Sequence, residues 1–213
     1  MKRFLPLFSA LCLTAGAGNA QNLLLNGDFS LGSNGTTDPD TQALDWTHYW
    51  TAGWINREVN ANGPYGDASN FHYAIGNGGP IDNGVYQSVL VPDDGATYQL
   101  TVDMGMDDWW KPDGFLKIEF KDALDSVISF EQTVILANGY DGAVGQPWAN
   151  RSVIGTAPAG TASITVVLGA TGEGGTTRWD NAVFATVVPE PASAGLLLLG
   201  SVVLLGYKWR QDR

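Results

Sequence analysis

The 213-residue sequence predicts an all-β fold, a two-sheet β-sandwich of the jelly-roll kind, between two short terminal segments that direct export. Apolar side chains recur at every second position of residues 98–104, 116–120 and 164–168, which is typical of strands with one buried face. Clusters of Gly, Pro, Asn and Asp separate these runs, and no part of the domain sustains a helical period. About ten strands in one domain favour a sandwich.

Residues 1–20 have the composition of a secretory signal peptide. Lys2 and Arg3 precede an apolar run over residues 4–17, and a small-x-small cleavage site at 18–20 precedes Gln21. Cys12, the one cysteine of the chain, lies inside this segment, so the mature protein has no thiol for a disulfide. The exported domain therefore depends on its core, and on any metal that it binds, for stability.

The domain at residues 21–187 is strongly acidic. Of the 22 acidic residues two lie in the C-terminal tail, and of the 11 basic residues five lie in the terminal segments. That leaves 20 acidic and 6 basic residues in the domain, a net charge of −14. Such a charge repels the phosphates of nucleic acid and disfavours strongly anionic glycans, whereas it is compatible with divalent cations.

The strands are expected in order along this domain. We place them at residues 23–26, 54–60, 71–75, 85–91, 98–104, 116–121, 127–134, 151–154, 164–168 and 179–186. Turns are expected at the Gly- and Pro-rich segments 76–80, 92–95 and 172–175.

Motifs at both ends of the domain resemble a known family. Residues 22–30 read Asn-Leu-Leu-Leu-Asn-Gly-Asp-Phe-Ser, residues 179–184 read Trp-Asp-Asn-Ala-Val-Phe, and Gln-x-Val and Tyr-x-Leu pairs lie between them. This order resembles carbohydrate-binding modules with the galactose-binding-like jelly-roll fold. The resemblance implies that the first and last strands pair and that Trp46 is the tryptophan that follows the opening motif. It differs at Ser30, where many members have an acidic residue that helps to hold a structural calcium.

Tryptophan is the residue type that most suggests a ligand site, because aromatic rings stack on the C–H faces of sugars while nearby polar groups bind the hydroxyls. A single tryptophan is more often part of the core, and Trp46 and Trp179 are expected there. In the doublet Trp109-Trp110, adjacent side chains of a strand point to opposite faces, so one ring is expected to be exposed. The candidate ligand-binding residues are Trp109, Trp110, Trp50, Trp54 and Trp148.

Calcium is the cofactor that the sequence suggests, with Asp28 and Asp180 as the candidate ligands. Pairing of the first and last strands brings these residues together, and hard cations prefer carboxylate oxygens. The alternative is that Asp28 forms an Asx turn and Asp180 accepts hydrogen bonds from backbone amides.

No catalytic motif is evident, so we predict a protein that is not an enzyme. The chain has two histidines and no His-Glu-x-x-His or Gly-x-Ser-x-Gly sequence. A glycosidase needs two facing carboxylates, for which Glu58 and Glu131 are a candidate pair. The predicted function is a carbohydrate-binding or extracellular-matrix protein, with a structural or adhesive protein that binds protein partners, or a glycosidase, as alternatives.

The tail at residues 188–213 has three parts in a fixed order. The motif Val188, Pro189, Glu190, Pro191 is followed by an uncharged run at 192–207, expected to form a short transmembrane helix, and by a basic end at 208–213. This order resembles the PEP-CTERM sorting signal. The resemblance implies export by the secretion machinery, processing by an exosortase, and an origin in biofilm-forming, exopolysaccharide-producing bacteria. We expect a tether to the inner membrane with the domain in the periplasm, and polysaccharide or envelope components as partners after release to the cell surface.

Overall fold

Eight strands make up the regular structure in a computed structural model, which describes residues 21–32, 43–52, 54–59, 71–90, 95–106, 112–135 and 148–187. They are β1 Thr47–Ala52, β2 Trp54–Val59, β3 Phe71–Leu90, β4 Thr97–Met106, β5 Asp113–Lys121, β6 Val127–Ile135, β7 Ala149–Thr156 and β8 Ser163–Thr186. The described residues contain no helix long and apolar enough to cross a membrane. The predicted signal peptide and the predicted transmembrane helix lie outside the described residues.

The strands form two antiparallel sheets, as predicted for a sandwich. In the first, called sheet one here, the order is β1, the C-terminal half of β3, the N-terminal half of β8, β5 and β6. In sheet two the order is β2, the N-terminal half of β3, the C-terminal half of β8, β4 and β7. The long strands β3 and β8 therefore belong to both sheets and pass from one to the other together.

The Gly-rich segments at 76–80 and 172–175 lie within β3 and β8, so the turns predicted there are wrong. They face each other where the two strands change sheets, and the register shifts between Asn77 and Pro80. Gly172 has a φ of 111°, which residues with a side chain rarely adopt. Glycine and a bulge let a strand bend sharply at the corner of a sandwich, so these residues bend the strands instead of ending them.

Alternating side chains along the strands form the core between the sheets, as the sequence predicts. Leu116, Ile118 and Phe120 of β5 are buried, whereas the intervening side chains of this strand are only partly buried. Leu100, Val102 and Met104 of β4 and Ile164, Val166 and Leu168 of β8 are also fully buried. The opposite face of each strand is therefore left to face solvent or a ligand.

The N-terminal segment runs beside the end of β8 without forming the strand predicted at 23–26. Its amides do not form the regular hydrogen bonds of a strand. The Leu23 amide donates to the Phe184 carbonyl, whereas the Leu24 amide donates to the Asn22 side chain. Asn26 has a φ of 49°, which interrupts an extended conformation. Pairing of the two ends, which the resemblance implied, is still present, because Ala182 donates to the Gly27 carbonyl over 2.8 Å.

Candidate functional site

A cleft of about 570 Å³ lies on the outer face of sheet one. It follows four strands, because β1, β3, β8 and β5 are neighbours in this sheet. Its lining residues are Tyr49, Asp82, Tyr86, Ser88, Phe115, Lys117, Glu119, Lys121, Asp125, Thr165 and Val167. Six strand positions from Asp82 to Ser88 span about 20 Å, so an extended ligand can lie along the strands.

One row of residues across the four strands sets the shape of the cleft. Tyr49 pairs with Gly84, Gly84 with Gly169, and Gly169 with Phe115. A Cβ atom on Gly84 would lie 2.7 Å from Tyr49 Cε1, and a Cβ on Gly169 would overlap both the Phe115 ring and the Tyr49 hydroxyl. The two glycines therefore let two aromatic rings lie over the middle of the sheet, which is a known use of glycine in strands.

The hydroxyl of Tyr49 remains protonated and is available as a hydrogen-bond donor. Burial raises the pKa of Tyr49 far above its usual range, and the nearby carboxylates of Asp82 and Glu119 raise it further. Asp82 lies at this aromatic end of the cleft, where its carboxylate accepts a hydrogen bond from the Thr51 hydroxyl. An aromatic face and two polar groups thus converge at one end.

Charged side chains occupy the other end, and they form ion pairs with each other. Lys117 Nζ lies 2.9 Å from Glu119 Oε1, and Lys121 Nζ lies 3.2 Å from Asp125 Oδ1. Lys117 Nζ also lies 5.7 Å from the centre of the Phe115 ring and 5.8 Å from that of Phe130. These contacts hold the lysine in place, because ammonium groups are attracted to the faces of aromatic rings.

Hydroxyl groups lie on the floor between the two ends. Ser88 Oγ and Thr165 Oγ1 are 2.8 Å apart and share one hydrogen bond. Aromatic walls, a hydroxyl floor and fixed polar groups are the mixture expected of a site for a polar ligand that also has apolar faces. Stacking and hydrogen bonding are the interactions that such an arrangement offers.

The predicted tryptophans are distributed differently. Trp50 is 54% exposed, and it does not line the cleft because its side chain points away from that of its neighbour Tyr49. Trp148 is partly buried, with its ring packed against Gly105. Trp109, Trp110 and the side chain of Trp54 lie outside the described residues. As binding residues, these five tryptophans stay predictions.

The core positions expected for two other tryptophans are confirmed. Trp46 is 4% exposed and Trp179 is fully buried. The indole N–H of Trp46 donates to the Asn26 carbonyl over 3.1 Å, and its ring contacts Phe29. Both residues therefore contribute to the hydrophobic core.

The aromatic residues of the cleft are Tyr49, Tyr86 and Phe115, none of which was predicted as a ligand-binding residue. A usable signal was present: because 116, 118 and 120 were predicted to face the core, residues 115, 117 and 119 had to share the opposite face of the strand, where Phe115 is nevertheless buried. Gly84 and Gly169 within strands were a second signal, because glycine often marks a close approach to the backbone. The sequence alone could not show that these rows are adjacent.

The predicted metal ligands, Asp28 and Asp180, lie near each other at the paired chain ends. Asp28 Oδ1 accepts hydrogen bonds from the amide and the hydroxyl of Ser30, so it forms the Asx turn that was the alternative. Asp180 is fully buried, and its Oδ1 accepts from the Asn181 amide over 2.7 Å. Asp180 Oδ2 is buried with no hydrogen-bond partner.

The environment of Asp180 disfavours a negative charge. Burial raises its pKa to about 7, the Asn181 amide opposes this shift, and the charges of Asp103 and Asp28 add to it. A buried carboxylate oxygen without a donor is suited to a cation. No group of three or more His, Cys, Asp or Glu side chains within the described ranges forms a metal site, so a cation here would also need backbone oxygens.

The candidate glycosidase pair does not form. Glu58 lies in β2, at one edge of the sandwich. Glu131 lies in β6, which contacts β7 at the other edge. Four strand spacings of about 4.8 Å separate β2 from β7, which far exceeds the separation of two catalytic carboxylates. Glu131 instead lies over Gly155 in β7, where a Cβ would be 3.0 Å from the Glu131 Cγ.

The C-terminal resemblance is confirmed by a family model. Residues 187–213 match the PEP-CTERM protein-sorting motif, which implies processing by an exosortase-type system at the cell envelope. No curated protein matches the chain.

Solved structures confirm the jelly-roll fold. A CBM61 module in complex with beta-1,4-galactotriose is 13% identical, with a TM-score of 0.52, and the match covers 79% of this chain and 100% of that one. The C-terminal family 22 carbohydrate-binding module of Clostridium thermocellum Xyn10B is 15% identical, with a TM-score of 0.50 and coverage of 78% and 98%.

A third similar structure is the enzymatically active domain of tailspike protein 4 from bacteriophage CBA120. It is 13% identical, with a TM-score of 0.54, and the match covers 78% of this chain. This chain spans only 21% of the length of that protein. The three similarities are at low identity, and they show the fold alone.

Proposed function

We propose that the domain is an exported, non-catalytic glycan-binding protein that binds an extended saccharide in the cleft on sheet one. The observation that carries this proposal is the row of Tyr49, Gly84, Gly169 and Phe115, in which the partly exposed Tyr49 ring and the buried Phe115 ring both lie over glycines on the outer face of the sheet. Sugar rings stack on such surfaces at low entropic cost because the aromatic side chains are already ordered.

Polar groups beside the rings supply the hydrogen bonds that a saccharide needs. The Tyr49 hydroxyl donates, the Asp82 carboxylate accepts, and the exposed Ser88 hydroxyl, which shares a hydrogen bond with the buried Thr165, does either. The cleft is long and open, so it is suited to an internal stretch of a polysaccharide. The CBM61 structure, which holds a galactotriose on a similar fold, supports this proposal by analogy.

The charges of the cleft favour binding over hydrolysis. Glycoside hydrolysis by paired carboxylates needs one acid and one base or nucleophile facing the same bond. Glu119 and Asp125 each form an ion pair with a lysine, which leaves Asp82 as the one carboxylate among the described lining residues that has no cation beside it. A single such carboxylate does not complete this machinery.

We also propose that calcium, when bound, braces the two chain ends. Asp180 would supply its unpartnered Oδ2 and Asp28 a second carboxylate, with backbone oxygens completing the shell. The ion contributes charge neutralisation and a cross-link between the N-terminal segment and β8. In this proposal its role is structural, because these residues are not among those that line the cleft.

The sorting tail sets where binding takes place. Export with a temporary hold at the inner membrane gives the domain access to envelope and extracellular polysaccharide. The intact mass of the protein recovered from the cell envelope and from the medium tests this step. A mass that lacks residues 1–20 and part of the tail supports it, and a mass that retains the whole tail in the medium contradicts it.

Affinity gel electrophoresis tests glycan binding by the purified full chain in detergent. The gels contain galactan, xylan, mannan or hydroxyethylcellulose, with and without calcium, and a non-binding protein of similar charge serves as the reference. Retardation by at least one of these polysaccharides is expected. Migration that none of them changes contradicts the proposal.

A further inference from the structure

The charges that line the cleft are unevenly balanced. Among its described lining residues are two lysines, Lys117 and Lys121, and three carboxylates. Both lysines are already neutralised by ion pairs of 2.9 Å and 3.2 Å with Glu119 and Asp125. An anionic group on a ligand therefore finds each of these lysines already beside a carboxylate, which weakens the attraction that the lysine offers.

Asp82 is the carboxylate that remains. It is partly buried on β3, and its carboxylate accepts a hydrogen bond from the neutral Thr51 hydroxyl, with no cation beside it in the part of the chain that the structure describes. The aromatic end of the cleft therefore has a negative potential, and the domain's net charge of −14 adds to it.

The aromatic side chain of Tyr49, like the carboxylate of Asp82, favours a positively charged group on the ligand. Tyr49 pairs with Gly84, which is two residues along β3 from Asp82, and the Tyr49 ring lies over Gly84. The faces of aromatic rings attract cations, and the attraction adds to that of a carboxylate nearby. A protonated amine that replaces a sugar hydroxyl would meet both an aromatic face and an uncompensated carboxylate at this end.

From these contacts we infer that the cleft selects a glycan with protonated amino groups, such as a hexosamine polymer that is wholly or partly free of N-acetyl groups. This inference rests on the proposed glycan-binding function and names its ligand class. The amine lies beside Asp82, and the sugar ring to which it is attached stacks on Tyr49. Polyuronates and sulfated glycans are rejected, because their charge meets Asp82 and the acidic surface of the domain.

Three hexasaccharides test the charge selection on the full chain in detergent. They are a β-linked glucosamine hexamer, its fully N-acetylated counterpart and a galacturonate hexamer, each titrated by calorimetry at mildly acidic pH and low salt. We expect the glucosamine hexamer to bind about fivefold or more tightly than the N-acetylated one, and the galacturonate hexamer to bind least. Added salt reduces this preference, since it screens exposed charges.

The variant Asp82→Asn tests whether the Asp82 carboxylate causes the preference for the glucosamine hexamer. This variant keeps the size of the side chain and an oxygen acceptor for Thr51, and it is expected to lose about fivefold in affinity for the glucosamine hexamer alone. Asp45→Asn is the matched control, because it removes one negative charge at an exposed site that does not line the cleft, and asparagine tolerates its φ of 70°. The control is expected to bind like the parent protein.

The outcomes separate this inference from the proposed function. Equal binding of the cationic and N-acetylated hexamers, tighter binding of galacturonate, or an equal loss in both variants overturns the inference and leaves glycan binding intact. If none of the hexamers and none of the neutral polysaccharides binds, the proposed function itself fails and the inference fails with it.

Discussion

Gly84 lies beneath Tyr49, and this contact holds the Tyr49 ring close against the outer face of sheet one. The two residues are cross-strand partners in β1 and β3, and a Cβ on Gly84 would lie 2.7 Å from Tyr49 Cε1 and would overlap the Leu168 carbonyl. The next residue in the row, Gly169, has the same relationship with Phe115. Two glycines at the centre of a sheet weaken it, so their presence indicates that the aromatic surface above them has a use.

Gly169→Ala is expected to disturb the cleft more than the fold. The added methyl overlaps the Phe115 ring and the Tyr49 hydroxyl, so both rings must lift from the sheet, at a cost of about 1–3 kcal/mol in the free energy of unfolding. Glycan retardation in affinity gels is expected to disappear while the far-ultraviolet circular dichroism spectrum is retained.

Gly105→Ala is the matched control for that substitution. Gly105 is also a strand glycine beneath an aromatic ring, and its Cβ would lie 2.9 Å from Cδ2 of Trp148, but it belongs to sheet two. Urea unfolding is expected to show a similar loss of stability with binding unchanged. Equal loss of binding in both variants contradicts a specific role for the Gly169 row.

The Lys117–Glu119 pair is expected to be weakly stabilising. Their side chains are 24% and 19% exposed, so solvent screens the pair and a double-mutant cycle with Lys117→Met and Glu119→Gln should give a coupling of about 0.5–1 kcal/mol. Urea unfolding of the four proteins measures it. The coupling should shrink in high salt, and a coupling that is unaffected by salt contradicts the ion-pair assignment.

The raised pKa of Asp180 predicts an unusual dependence of the free energy of unfolding on pH in the absence of metal. Its folded-state pKa is raised from 3.8 to about 7, so its contribution to stability is fully present below pH 3.8 and is lost as the pH rises through 7. In EDTA above pH 7, the free energy of unfolding of Asp180→Asn, measured by urea denaturation, should therefore exceed that of the parent by about 2–4 kcal/mol. Below pH 3.8 the two proteins should have nearly the same free energy of unfolding.

Calcium is expected to reverse the effect of the same substitution. A cation that binds only the folded state raises the melting temperature of the parent protein at neutral pH, and it leaves Asp180→Asn unchanged because the charged ligand is gone. Differential scanning calorimetry with calcium and with EDTA measures both. An equal rise in the two proteins contradicts a site at Asp180, and Asp45→Asn is a control that should respond like the parent.

Much of the fold was predictable because the strands have one buried face. The alternation in β4, β5 and the first part of β8 specified which side chains enter the core, and each was buried as predicted. β1 was missed because its sequence, Thr-His-Tyr-Trp-Thr-Ala, has no apolar alternation at the edge of a sheet. The glycines inside β3 and β8 resembled turns because local composition cannot distinguish a turn from a sheet corner.

The candidate site was less predictable than the fold. Tryptophan content directed attention to single residues, whereas the cleft is built from a tyrosine, a phenylalanine and two glycines on four strands that are distant in sequence. Their adjacency depends on register, and one residue of slip would move each side chain to the other face. Asp28 and Asp180 were easier to place, because the resemblance implied pairing of the chain ends.

The most direct test of the account compares Tyr49→Ala with Trp50→Ala in the affinity gels, using the full chain and the neutral polysaccharide that retards the parent most. These neighbours lie on opposite faces of β1, and Tyr49 lines the cleft, whereas Trp50 is 54% exposed outside it. We expect Tyr49→Ala to lose about tenfold in affinity or more, Tyr49→Phe to lose less, and Trp50→Ala to bind normally. Normal binding by Tyr49→Ala together with loss in Trp50→Ala would contradict the assignment of the cleft as the binding site.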